Sequence, residues 1–173
     1  MAKKAKKAGA KKRPAAKAAK ATAPKPAASK KAKVLKDGRP GRMWWPGLSP
    51  YLTVRDGQAS IEFYARAFGF DTYGEVMRGD DGAVQHASMR LHEAAIMFGS
   101  EEGSMGLKVP AAGTPDSLTL YVYVPDVDSF HARAQRSGAT VVQAPADQFW
   151  QDRTAVYKDP DGYHWTFATH LGK

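Results

Sequence analysis

One histidine in the middle of the chain is the side chain best suited to proton transfer. His86 lies in the stretch VQHASM, which has the composition of a β-strand. Because imidazole titrates near neutral pH, His86 is the candidate general base of any reaction that the protein catalyses. A histidine in a strand also serves structural hydrogen bonding, and that interpretation stays open. The chain has no cysteine, which excludes thiol nucleophiles, thiolate metal sites and disulfides.

A second set of chemically capable side chains closes the chain, in the stretch KDPDGYHWTFATH (158–170). A tight turn is followed by an alternating strand that carries His164, Thr166 and His170. Such a strand is compatible with a metal site, a small-molecule pocket or a sheet with structural histidines. The turns GDDG and DPDG lack the further oxygen ligands of a calcium loop. The sequence also lacks a phosphate-binding loop, a dinucleotide motif and the spacing of a Ser/His/Asp triad.

The stretch DQFWQDR (147–153) combines an aromatic and a cationic side chain just before a predicted strand. Trp150 is suited to stacking on a ligand, while Arg153 is suited to bidentate binding of a carboxylate or phosphonate. The alternative is a loop with a local Asp–Arg pair, in which Trp150 covers the mouth of the barrel.

These residues are positioned by a body that repeats one order of elements twice. A strand, a helix and three further strands are predicted from SPYLTVRD to AAIMFG, with FDTYGEVMR as the second strand, and again from SLTLYVYV to YHWTFAT. Each helix follows an Asp suited to capping it and ends at a Gly (Asp56 and Gly69; Asp126 and Gly138). Corresponding positions of the two halves are about 70 residues apart. The sequence therefore predicts two βαβββ modules, at about 47–100 and 117–171.

The motifs that carry this repeat resemble the vicinal oxygen chelate superfamily of glyoxalases, bleomycin-resistance proteins and extradiol dioxygenases. SPYLTVRD, HASMRL, LYVYVPDVD, GATVVQAPADQFWQDR and KDPDGYHWTFATH are most similar to its PhnB-like branch. The resemblance covers about residues 47–171. It implies an α+β fold in which two βαβββ modules form a curved sheet (a partial barrel), with the helices on the convex side.

The same resemblance designates four positions where metal-dependent members carry His or Glu ligands. In this chain they are Ser49, Met97, Thr119 and Thr166. Hydroxyls are weak neutral donors and a thioether suits softer ions, so we expect the usual metal quartet, and with it a metal cofactor, to be missing. A divalent metal would require a rearranged site drawn from His86, His164, Glu75 and Glu93, an alternative that stays open.

Strand alternation predicts which side chains share the concave face with those positions. Together with DQFWQDR, it gives a hydroxyl-rich and aromatic ligand-binding set: Tyr51, Thr53, Met97, Thr119, Tyr121, Tyr123, Trp150, Arg153, His164 and Thr166. Such a surface suits a planar or partly polar small molecule. The alternative is a half-solvated sheet face in which Tyr and Thr serve strand propensity.

The charge of the chain divides it into an arm, residues 1–42, and a body, residues 43–173. The arm holds 16 Lys and Arg and one acid, a net charge of +15, whereas the body holds 10 basic and 16 acidic residues, a net charge of −6. The arm consists almost entirely of Lys, Ala and Pro, which predicts disorder. Its composition resembles histone-like tails, and Lys3 to Arg42 would bind nucleic acid without reading its sequence. A solvated extension and a transit peptide are the alternatives.

The sequence thus favours a metal-independent small-molecule-binding protein, homodimeric as many relatives are. The first alternative is a lyase, isomerase or dioxygenase that uses His86 as a base or a rearranged metal site. The second is an accessory nucleoid protein that acts through its arm. No stretch approaches the roughly 18 apolar residues of a membrane helix, so we expect no membrane partner and a cytoplasmic or nucleoid-associated location.

Overall fold

The computed structural model describes residues 46–101, 106–111 and 117–172. The predicted disordered arm, residues 1–42, lies outside the described residues, as does the predicted start of the body at residue 43. The described residues form an α+β fold of two sheets and two helices, as the sequence predicts. No helix in these ranges is long and apolar enough to cross a membrane.

The first module forms a sheet in which the first and last strands are parallel neighbours. Its elements are β1 (Tyr51–Val54), α1 (Gly57–Phe63), β2 (Asp71–Thr72), β3 (Met77–Arg78), β4 (Val84–Leu91) and β5 (Ala94–Ser100). The strand order is β1-β5-β4-β2, and β3 pairs with β4 as well. β1 runs parallel to β5, and the other pairs are antiparallel.

The second module repeats this arrangement. Its elements are β6 (Thr119–Tyr123), α2 (Val127–Arg136), β7 (Thr140–Asp147), β8 (Asp152–Lys158) and β9 (His164–His170). The strand order is β6-β9-β8-β7, again with the first and last strands parallel. The predicted duplication is confirmed, because both modules place their first strand beside their last.

Both helices begin and end where the sequence predicts. Asp56 accepts hydrogen bonds from two backbone N–H groups of α1 at 2.9 and 3.0 Å, and Asp126 caps α2 in the same way at 2.9 and 3.2 Å. α1 continues into a wider π turn (Tyr64–Phe68) before Gly69, whose φ is +78°, and Gly138 follows α2 with a φ of +83°.

The prediction of one continuous strand over FDTYGEVMR is wrong. The structure has two strands of two residues each, β2 and β3, separated by Gly74 with a φ of +79°. A left-handed residue turns the chain out of the extended conformation, so the ladder against β4 is interrupted. The register also shifts between Met77 and Arg78.

One hydrophobic core joins the helix-facing sides of the two sheets. The ring of Phe68, from the first module, lies 6.0, 5.3 and 4.9 Å from the rings of Phe130, Trp165 and Phe167 of the second. Seven of the eight predicted helix-facing residues are in this core: Leu52, Val54, Leu120, Val122, Val124, Trp165 and Phe167. The eighth, Tyr163, precedes β9 and is partly buried against the core. The strand alternation is therefore confirmed, and the residues of the predicted ligand face lie on the other side of each sheet.

Candidate functional site

The second module brings its two designated metal positions together. Thr119 and Thr166 lie on adjacent parallel strands, and their hydroxyl oxygens are 2.9 Å apart. This is a hydrogen bond between two neutral hydroxyls, each of which has room for a further polar partner.

The equivalent positions of the first module, Ser49 and Met97, also lack the side chains of a usual metal site. Met97 donates its backbone N–H to Pro50, next to Ser49, at 2.9 Å. The Ser49 hydroxyl is buried and has no hydrogen-bond partner among the residues that the structure describes. Three hydroxyls and a thioether do not fit Zn, Ni or Fe, which take imidazole and carboxylate ligands.

The alternative metal site is not assembled either. Within the described ranges, no three His, Asp or Glu side chains lie close enough together to hold a metal ion. His86, His164, Glu75 and Glu93 accordingly do not form such a cluster.

A buried carboxylate organises the ligand face of the second sheet. Asp152, at the start of β8, is 2% exposed. Its Oδ2 accepts hydrogen bonds from the hydroxyls of Tyr121 at 2.7 Å and Tyr123 at 2.8 Å, and its Oδ1 lies 2.9 Å from His170 Nδ1. We call these four residues the Asp152 cluster. The Asp152 carboxylate thus fixes the positions of Tyr121 and Tyr123 on β6 and of His170 on the neighbouring strand β9.

The electrostatics of the Asp152 cluster keep the carboxyl ionised and the phenols neutral. The hydrogen bonds from His170 and Tyr121 hold the pKa of Asp152 below its usual range. Burial, together with the bond to Asp152, raises the pKa of Tyr121 to about 12, and the bond to Asp152 raises the pKa of Tyr123. At neutral pH both phenols therefore donate to Asp152, which leaves the Tyr123 oxygen able to accept a hydrogen bond from a ligand.

The aromatic rings beside this carboxylate are open to solvent. Tyr121 is 40% exposed, Tyr123 56% and Trp150 47%. The two tyrosine rings lie 5.4 Å apart, and the indole N–H of Trp150 donates to the Tyr121 hydroxyl at 3.4 Å. We call Tyr121, Tyr123 and Trp150 the aromatic shelf. Half-exposed rings that are fixed by hydrogen bonds offer stacking area at low entropic cost.

The structure does not bring Arg153 to this face. Its guanidinium forms a bidentate pair with Asp128 of α2 at 2.8 and 2.9 Å and contacts Asp147 at 2.7 Å. Consecutive residues of a strand point to opposite faces, so Asp152 faces the shelf and Arg153 faces the helix. The contact with Asp147 is the local Asp–Arg pair within DQFWQDR that the sequence offers as the alternative, and Asp152 takes no part in it.

The remaining predicted residues form a separate group on the first sheet. His86 stacks on Tyr51 with ring centroids 5.8 Å apart, and its Nε2 lies 3.3 Å from the Ser88 hydroxyl. Met97 pairs in register with both Tyr51 and Ser88, and Thr53 is buried. The predicted set therefore divides between the sheets: Tyr51, Thr53, Met97 and His86 on the first, and Thr119, Tyr121, Tyr123, Trp150, His164 and Thr166 on the second.

Two members of the Asp152 cluster were not selected from the sequence as site residues. His170 has the same strand parity as His164 and Thr166, so extending the alternation by two steps would have included it. Asp152 has the parity of Thr154, whose Cα pairs with Ala168 on the ligand face. The sequence did not indicate Asp152 as a site residue because the adjacent Arg153 suggests a local Asp–Arg pair.

Residues 47–167 match the family model of the Glyoxalase/Bleomycin resistance protein/Dioxygenase superfamily. Uncharacterized proteins of Mycobacterium bovis and Mycobacterium tuberculosis are each 39% identical to the chain over 128 residues, which is 71% of this chain and 82% and 74% of theirs.

Solved structures show the same fold. TioX from Micromonospora sp. ML1 is similar with a TM-score of 0.58 and 26% identity, over 73% of this chain and 100% of its own. TnmS3, an antibiotic binding protein from Streptomyces sp. CB03234, is similar with a TM-score of 0.53 and 22% identity, over 75% of this chain and 99% of its own. With the duplicated fold and the family match in agreement, the chain belongs to the glyoxalase/bleomycin resistance protein/dioxygenase superfamily.

Proposed function

We propose that this protein binds a planar, partly polar small molecule on the aromatic shelf, without a metal ion. The observation that carries the proposal is the Asp152 cluster, in which a 2% exposed carboxylate fixes two half-exposed tyrosines. Because this carboxylate accepts from both phenols, it holds the shelf in one geometry before a ligand arrives.

The side chains at the designated metal positions favour the binding of an organic ligand over metal-assisted catalysis. Thr119 and Thr166 present a hydrogen-bonded pair of hydroxyls, suited to contacting polar atoms of an organic ligand. TnmS3, which shares the fold, is an antibiotic binding protein. We therefore propose sequestration of an organic compound, in the cytoplasm, as the role of this chain.

We infer that a second copy of the chain completes the site. The two sheets share a core on their helix-facing sides. From this we infer that their ligand faces point away from the shared core and do not form one surface within a chain. Phe149, beside the shelf, is 95% exposed. A homodimer that covers Phe149 would place the first-sheet group of one copy, including His86, against the shelf of the other.

Titration of the full-length protein with bleomycin and a panel of planar aromatic antibiotics tests this function. We expect at least one compound to quench tryptophan fluorescence saturably, with one molecule bound per chain and two chains per assembly in native mass spectrometry. Trp150→Phe removes most of the quenching, because Trp150 is the described tryptophan that is exposed, whereas Trp165 is buried. Unchanged fluorescence with every compound, or equal quenching of Trp150→Phe, would contradict the proposal.

The alternative function is that of a lyase, isomerase or dioxygenase-type enzyme. The contact of His86 with Ser88 and its stacking on Tyr51 support it, because both orient the imidazole for proton transfer. In the same titration, His86→Ala separates the two functions. In a binding protein the change alters only the affinity, since His86 of one copy lies against the ligand on the shelf of the other, whereas an enzyme that uses His86 as its base still binds and loses turnover by at least about a hundredfold.

For the basic arm, Lys3 to Arg42, we propose non-specific nucleic-acid binding, which would associate the protein with the nucleoid. The net charge of +15 against a body of −6 supports this, because closely spaced cations release counterions from a phosphate backbone. We expect the full chain to bind duplex DNA of random sequence with an affinity that falls about tenfold or more between low and physiological salt. A full-length variant with glutamine at every arm lysine should lose this binding. Equal DNA binding by the wild type and this variant would show that the lysines of the arm do not bind the nucleic acid.

A further inference from the structure

The free edge of β1 is sealed by a loop of the second module. Met97 bonds to Pro50 on the inner side of β1, so the backbone groups of Thr53 point to the outer edge. There the Tyr163 hydroxyl accepts from Thr53 N–H at 3.1 Å and donates to Thr53 C=O at 2.9 Å. One phenol thus satisfies both backbone groups of an edge residue.

The equivalent edge of β6 lacks this phenol. Val124 donates its N–H to Ala168 on the inner side, so the backbone N–H and C=O of Tyr123 point to the free edge. Tyr123 corresponds to Thr53 in the repeat, and the residue that corresponds to Tyr163 is Ala94. Among the described residues, no side-chain hydroxyl reaches these two backbone groups.

An open cleft lies where the phenol is missing. It has a volume of about 640 Å³ and runs between the β4–β5 turn and the edge of β6. Its walls are Leu91 to Ala94 on one side and Tyr121 to Pro125, Thr169 and His170 on the other. The volume lies within the range of small-molecule sites, and it exceeds what a single tyrosine side chain would fill.

We propose that this cleft binds the phenolic group of a small molecule. The phenol hydroxyl bridges Tyr123 N–H and C=O, as Tyr163 bridges those of Thr53, and the ring lies between Ala94 and the edge of β6. The chain already contains this mode of recognition once, which supplies the geometry. The cleft shares Tyr121 and Tyr123 with the aromatic shelf, but the site goes beyond the proposed function, because its hydrogen bonds use the backbone of Tyr123 and involve neither the Asp152 carboxylate nor Trp150.

The probe is 4-methylphenol, which is the tyrosine side chain as a free molecule, added to the full-length protein. We expect a saturable shift of the Tyr123 amide in ¹⁵N NMR spectra. Toluene, which has no hydroxyl, should bind about tenfold more weakly, since one to two hydrogen bonds are lost. If the Tyr123 amide signal does not shift, or if toluene binds the wild-type protein as tightly as 4-methylphenol does, the proposal is overturned.

Substitution of Ala94 fills the cleft from within. Ala94→Tyr should weaken 4-methylphenol binding by at least about tenfold, because its own phenol takes the ligand's place. Ala94→Phe is the matched control: it fills the space without the hydroxyl, so it should melt at a lower temperature than Ala94→Tyr. Retention of wild-type affinity in Ala94→Tyr would refute the site.

The two ligand sites are distinguishable with the same probe. Trp150→Phe, which alters the aromatic shelf, should leave the shift of the Tyr123 amide by 4-methylphenol unchanged. Loss of the Tyr123 shift in Trp150→Phe would place the phenol on the shelf, which supports the proposed function and overturns the cleft.

Discussion

Replacing Asp159 with Ala lowers the free energy of unfolding by about 3–5 kcal/mol, because four donors lose a shared buried acceptor. Asp159 is 5% exposed in the loop between β8 and β9. Its Oδ2 accepts from the Tyr64 hydroxyl at 2.8 Å and the Trp165 indole at 2.9 Å. Its Oδ1 accepts from the backbone N–H groups of Asp161 and Tyr163 at 3.0 and 2.9 Å.

Urea unfolding of the full-length protein at neutral pH measures this loss. Asp80→Ala is the matched control, since Asp80 is an exposed turn residue, and its stability should stay within about 0.5 kcal/mol of the wild type. A loss below about 1 kcal/mol in Asp159→Ala would mean that water replaces the carboxylate and that the four donors remain satisfied.

The consequence of this change extends to the first module. The loop that Asp159 holds also carries Asp161, which accepts from the Arg55 N–H at 3.1 Å, and Tyr163, which seals the edge of β1. Amide hydrogen exchange at Thr53 and Arg55 should therefore accelerate in Asp159→Ala. The edge of β6 has no such seal, and its exchange should not change.

Much of the fold could be predicted because it depends on local periodicity. Alternation along a strand decides which face a side chain occupies, so Leu52 and Val54 were placed in the core, opposite to Tyr51 and Thr53. The repeat gave the register as well: Thr119 and Thr166, located from equivalent positions of the two halves, are in contact at 2.9 Å.

Features that depend on tertiary packing could not be predicted in the same way. The bidentate partner of Arg153 is Asp128, on a helix 25 residues earlier in the chain, whereas the sequence suggests only a local Asp–Arg pair, which Asp147 supplies. Strand parity also could not show that the ligand face is divided between two sheets with a common core.

Replacing Asp152 with Ala should reduce binding of the strongest compound in the antibiotic panel by at least about tenfold, the largest effect on ligand binding that we expect from one substitution. The change removes the acceptor of Tyr121, Tyr123 and His170 at once. Without it, the tyrosine rings sample several rotamers, and a ligand must order them on binding. Asp147→Ala is the control, because Asp147 contacts Arg153 and not the shelf, and its affinity should stay within about twofold of the wild type.

The ionisation of the Asp152 cluster gives this prediction a second measurement. Hydrogen bonds hold the pKa of Asp152 below its usual range in the folded protein, so its contribution to stability is present above the ordinary carboxyl pKa of about 3.9 and is lost as the pH falls through the lowered value. Ligand affinity should therefore be constant from neutral pH down to about pH 4.

In Asp152→Ala, absorbance titration should show Tyr123 ionising closer to its ordinary pKa, since the bond to Asp152 is what raises it. If Asp152→Ala shows that change in titration and yet binds the compound with wild-type affinity, the carboxylate positions the rings without serving the ligand, and the ligand site lies on the first sheet, with His86 and Tyr51.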